Sequence, residues 1–204
     1  MTIFDRIILL LTGLTAIYLL WYFYKRYQAK KALYDVYYML GFAVLLVSGL
    51  LLIFFGWGIL DSPYVLTVAS LIPLGISMGL MNQFMPEYKK IYSWFALVGL
   101  LAIAVTSIGE MSLKSIAVPV FHGVAGLIIF GLPILQKDAA KGFWWVGVGG
   151  ALIGIGGIAL AFYKAGTPLL GIFTGEFILS ILAPLLFLMT LAFTFGFRKD
   201  IGKD

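Results

Sequence analysis

The chain contains no cysteine, one histidine and a single asparagine, and only 11% of its 204 residues carry a charged side chain. Without cysteine there are no disulfides, thiolate metal sites or iron–sulfur ligands. With His122 as the lone imidazole, a bis-histidine haem would need its second ligand from another chain. No HExxH zinc signature, no GxSxG elbow and no carboxylate-rich metal set occurs, and the last apolar run holds no lysine for a retinal Schiff base. No catalytic, cofactor or metal set is therefore identified, and classical enzyme chemistry is not expected.

What the chain does have is apolar length. Hydrophobic residues make up 62% of it, far above the soluble range. They fall into seven blocks, read as helices over residues 7–24, 36–60, 64–85, 91–109, 115–135, 143–163 and 169–195. Most match the ~20 residues that a ~30 Å hydrocarbon layer requires. The blocks are continuously apolar, without the alternation of a membrane β-barrel. The expected fold is all-α: one domain spanning residues 1–204, a polytopic bundle of seven transmembrane helices. The first block ends in Trp21, Tyr22, Phe23, Tyr24, Lys25 and Arg26 with no small-residue cleavage site, which reads as a retained anchor.

Charge sets an orientation. With the N-terminus outside, the inner loops and tail hold Lys25, Arg26, Lys30, Lys31, Lys89, Lys90, Lys137, Lys141, Arg198, Lys199 and Lys203, against Arg6, Lys114 and Lys164 outside. That imbalance predicts the N-terminus outside, the C-terminus inside, and a place in the cell membrane. The net charge of +5 then reflects topology and contact with anionic lipid, and no nucleic-acid partner is expected.

Small residues recur at helix spacing. Gly150, Gly154, Gly157 and Ala161 share one face of the sixth block, and Gly75 with Gly79 and Gly171 with Gly175 repeat the i, i+4 step. Such faces let backbones approach closely, within the bundle or between subunits. Proline recurs in the third, fifth and seventh blocks as Pro63 and Pro73, Pro119 and Pro133, and Pro168 and Pro184. Each interior proline costs an i−4 hydrogen bond and bends its helix. Asp61 is expected to cap the third helix, and Thr67, Ser70 and Ser77 to form a polar stripe along it.

Ionisable groups within a bilayer are costly, so each is a functional lead. Glu176 falls about nine residues into the seventh block and His122 about eight into the fifth, roughly 12 Å deep in each case. Glu110 and Lys164 close neighbouring blocks on the same side, and Ser180 shares the helical face of Glu176. If those four helices adjoin, Glu110, His122, Lys164, Glu176 and Ser180 line an outward-facing pocket for an ion, a proton or a small solute. The first expectation is thus a small transporter or channel-like protein. The alternative is a non-catalytic accessory subunit of a larger membrane complex, its small-residue seams and aromatics meeting partner subunits, a further copy, quinone, pigment or lipid.

Overall fold

The computed structural model describes residues 1–137, 139–164 and 174–201, and every regular element among them is helical. The helices are α1 (Ile3–Lys30), α2 (Leu33–Phe55), α3 (Pro63–Ala69), α4 (Leu71–Phe84), α5 (Lys89–Ile108), α6 (Lys114–Leu135), α7 (Trp144–Lys164) and α8 (Gly175–Ile201). Taking α3 and α4 together as one span, seven helical segments are long and apolar enough to cross a membrane. Large apolar side chains face outward along them, with Phe54, Ile91, Trp94 and Leu127 each 68–73% exposed. Such a surface is stable only against lipid, so the architecture is that of a multi-pass membrane protein.

Helix ends differ from the hydropathy reading where polar groups intervene. The first helix begins at Ile3 rather than at residue 7, because Thr2 and Asp5 form a capping box: the Asp5 N–H donates to Thr2 Oγ1 at 3.1 Å and the Thr2 N–H to Asp5 Oδ2 at 2.7 Å. It also runs six residues past Tyr24, through a basic stretch whose Arg26 is buried, until Lys31 turns left-handed at φ 52°. The second helix stops at Gly56, with φ 71°, before a 3-10 turn over Trp57–Asp61. Asp61 therefore lies in that turn, and Ser62 takes the N-cap position of α3 without a side-chain cap bond. The last helix starts at Gly175, where the Thr174 carbonyl and hydroxyl accept the N–H groups of Ile178 and Phe177 at 3.0 and 3.4 Å.

The third span kinks at Ser70. Pro73 has no N–H to give the preceding turn, and the Ser70 hydroxyl donates to Leu66 O at 2.9 Å while its backbone N–H reaches the same carbonyl at 3.1 Å. Hydroxyls along this span are satisfied within it: Thr67 donates to Pro63 O at 3.2 Å and Ser77 to Pro73 O at 2.7 Å. The buried Tyr92 of α5 donates its hydroxyl to Ser77 Oγ at 2.7 Å, which joins α4 to α5.

Packing closes six helices into a ring, α1 on α2, α2 on α4, α4 on α6, α6 on α7, α7 on α8, and α8 back on α1. The fifth helix lies outside that ring against α3, α4 and α6. Buried positions on α1 are Asp5, Leu9, Thr12, Ala16, Leu19, Phe23 and Arg26, alternating steps of four and three as in left-handed helix pairs. Aromatic rings fill the ring's interior toward one end. Phe23 stacks on Tyr38 at 4.9 Å and meets Phe197 edge-on at 5.1 Å, and Phe42 meets Phe193 at 5.7 Å. These side chains are fully buried, and aromatic pairs at such distances add to their area burial.

Candidate functional site

The most concentrated polar chemistry sits where α1, α2, α4 and α8 end together, hereafter the Arg26 end. Arg26 continues the buried stripe of α1, and Asp35 opens the corresponding stripe of α2. The two-residue turn between those helices brings them together: Arg26 Nε donates to Asp35 Oδ1 at 2.6 Å, and Nη2 lies 2.6 Å from the same oxygen. From the far end of the sequence, Asp200 on the last turn of α8 accepts from Arg26 Nη1 at 2.8 Å and from Gln83 Nε2 at 2.7 Å. Gln83 in turn accepts from the Tyr38 hydroxyl at 2.9 Å.

Burial makes this a strong set of interactions. Asp35 and Tyr38 are 0% exposed and Arg26 6%. The guanidinium carbon lies 5.0 Å from the Tyr34 ring and 5.4 Å from the Phe23 ring, within cation–π range. Two carboxylates share one guanidinium, so the cation is compensated by protein partners rather than by water, with one negative charge in excess. Asp35 Oδ2 has no donor among the described residues, because both guanidinium contacts fall on Oδ1. The arrangement ties four helices into one rigid end.

The residues singled out by sequence lie at the opposite end, and their distribution is more dispersed than a single pocket requires. Glu176 is exposed in the first turn of α8, one residue from the helix start, whereas His122 lies eight residues into α6. A first-turn carboxylate suits the positive end of the helix dipole. The Ser180 hydroxyl is exposed and donates to Phe177 O at 2.7 Å. Glu110 is exposed at the left-handed residue, φ 51°, that ends α5. Lys164 ends α7 with its side chain outside the described residues, as is Gly171 altogether. The seventh helix packs against both α6 and α8 and stands between them, so His122 and Glu176 belong to helices that are not direct packing partners. The His122 ring is held by Nδ1, 3.1 Å from Val118 O. A carbonyl only accepts, so Nδ1 carries the proton and Nε2 is left as the acceptor.

The small residues divide by contact. A methyl added at Gly75 would lie 3.0 Å from the Gly41 nitrogen of α2, and one at Gly79 would enter the Tyr38 ring. On α7, a methyl at Gly150 would come within 2.7 Å of the Ile129 backbone of α6, whereas Gly154 and Gly157 have nothing within 4 Å of such a methyl. Ala161 is exposed, and a methyl at Gly175 would meet the Tyr163 ring at 3.1 Å. By the antiparallel register that Gly150 sets, Gly154 and Gly157 stand level with Gly126 and Gly123 of α6, which are likewise open. Among the described residues, these four glycines therefore leave open space beside the α6 and α7 backbones over about two turns.

Sequence reasoning missed Arg26, Asp35, Gln83, Tyr38 and Asp200. The signal was present, since Arg26 falls on the buried three-and-four stripe of α1, but counting it with the loop charges concealed it. Compared with protein-family models, curated proteins and solved structures, the chain shows no match.

Proposed function

We propose that this chain is a non-catalytic membrane subunit, oriented with its N-terminus outside and C-terminus inside the cell membrane, which acts by holding a partner transmembrane helix against the open α6–α7 surface. The observation that carries the reading is the pairing of two features. Most serine and threonine hydroxyls buried in the bundle are spent on its own carbonyls, as at Ser70, Ser77, Thr106 and Thr190, Ser107 being the exception with no partner for its Oγ among the described residues, and aromatic rings fill the Arg26 end. Meanwhile Gly123, Gly126, Gly154 and Gly157 leave room for an added methyl, with no described atom within 4 Å of it. In lipid, where no hydrophobic force drives helices together, such small-residue surfaces supply the close approach that association requires. The bulky, exposed Leu127 and Ile158 beside them provide a ridge next to the groove.

The test is a photo-crosslinker at Gly157 in the native membrane, followed by mass analysis. A single protein adduct of defined mass, lost when Gly126→Leu fills the surface, is expected. Adducts to lipid alone, or an adduct that survives Gly126→Leu, would overturn the reading. A second reading, a site for a small ion or solute open to the Glu110 end, is favoured by His122, whose free Nε2 acceptor lies beside Gly123. Flux in liposomes that is abolished by both His122→Gln and Glu176→Gln would select it.

A further inference from the structure

We propose that the cleft between α1 and α8 is a binding groove for one phospholipid with an anionic headgroup, its acyl chain lying along α1 and its phosphate at Lys25 and Arg198. The cleft is shallow and open to the surroundings, with a volume of about 350 Å³, and is lined by Leu11, Leu14, Thr15 and Tyr18 of α1 and by Phe187 of α8. Its Thr15 hydroxyl is turned onto Leu11 O at 2.8 Å, so the wall presented to an occupant is apolar.

Helical geometry carries this groove to a pair of cations. Leu14, Tyr18 and Lys25 fall within about 40° of one another around α1, and Phe187 and Arg198, eleven residues apart, within about 20° around α8. Both charges are exposed, and both lie at the Arg26 end of the bundle. Lys25 pairs with no carboxylate among the described residues. Its ammonium instead sits 4.0 Å above the Trp21 ring, within an aromatic group in which Tyr18 and Tyr22 are 5.3 Å apart and Trp21 and Tyr22 5.7 Å. Amphipathic rings of this kind mark the headgroup level.

The dimensions match one leaflet. From Leu11 to Lys25 is fourteen residues, or about 21 Å along the helix. Half of a bilayer, from midplane through the headgroups, is about 20–22 Å. An acyl chain beside Leu11 and Leu14 therefore brings its phosphate level with Lys25. The field there favours an anion: Lys25, Lys30, Lys31, Lys89, Lys90, Lys141, Arg198 and Lys199 lie at this end with Glu87, while Asp35 and Asp200 face Arg26. A zwitterionic headgroup gains less from it than a phosphatidylglycerol. This site is separated from the α6–α7 surface by the α7–α8 contact and does not depend on the function proposed above.

Native mass spectrometry of the protein reconstituted with equal phosphatidylglycerol and phosphatidylcholine of identical chains reads the groove directly. The wild-type chain is expected to retain phosphatidylglycerol at least five-fold over phosphatidylcholine. Lys25→Gln with Arg198→Gln is expected to bring that ratio near one, while Lys114→Gln, at the opposite end of the bundle, leaves it unchanged. Leu14→Trp, which fills the groove, is expected to remove retention of both lipids. Equal retention of the two lipids by the wild-type chain, which requires no variant to fold, overturns the proposal. An unchanged preference in the double variant does so as well.

Discussion

Arg26 and Asp35, nine residues apart, meet at 2.6 Å with the carboxylate wholly removed from solvent. A pair so placed punishes the loss of one partner more than the loss of both. Arg26→Ala is expected to destabilise the protein by about 3–5 kcal/mol, since two carboxylates then lose their cation. Arg26→Met combined with Asp35→Leu is expected to recover much of that loss. Denaturant unfolding in detergent, arranged as a double-mutant cycle, measures both. Additive single effects would show that the pair does not couple.

Gly150 and Gly154 lie one turn apart on α7 and differ in what surrounds them. Gly150→Ala forces its new methyl toward the Ile129 backbone, with an expected cost of about 1–3 kcal/mol. Gly154→Ala meets nothing and restricts the unfolded chain, so it should be neutral or stabilising by about 0.4–1 kcal/mol. Thermal unfolding of the two variants side by side is sufficient, and equal effects would contradict the packing described.

Tyr92 and Ser77 supply an asymmetric pair. Tyr92→Phe removes a donor while Ser77 keeps its bond to Pro73 O, so a loss of about 0.5–1.5 kcal/mol is expected. Ser77→Ala leaves the buried Tyr92 hydroxyl without its partner and should cost more, about 1–3 kcal/mol. Unfolding curves that rank the two in the reverse order would place the tyrosine hydroxyl elsewhere.

Glu176 occupies an exposed first turn of α8. Replacing it with Gln removes only a favourable charge at a helix start, and a stability change below about 1 kcal/mol is expected. A larger loss, measured by the same unfolding assay, would mean that the carboxylate has a buried partner.

The cysteine-free chain suits single-cysteine labelling. With the N-terminus outside, Met111→Cys should react with an impermeant maleimide in intact cells, and Lys90→Cys only after permeabilisation. The opposite pattern would invert the orientation.

The seven spans were legible because apolar runs of this length have one stable solution in lipid. Helix order was not. The outward face of α5, with Trp94, Leu97 and Leu101 exposed, is as apolar as an inward one, so the contrast that orients helices in water is missing. The start of α8 at Gly175 was also hidden, because residues 169–174 are about as apolar as the helix that follows, and that start puts Glu176 in the first helical turn rather than about nine residues in. Arg26 and Asp35 were readable from the stripes of α1 and α2, where each continues a buried face whose nearest members are Leu19 and Phe23 on α1 and Tyr38 and Phe42 on α2.

Asp200 stands 174 residues beyond the arginine it binds. At a ribosomal rate of about 5–20 residues per second, Arg26 is made roughly 10–35 s before this second carboxylate exists. During that interval the nascent α1–α2 hairpin holds its guanidinium with Asp35 alone. The packing of α8 on α1, like that of α8 on α7, can therefore form only once the last helix is made, so a chain ending before Asp200 leaves Arg26 with one carboxylate.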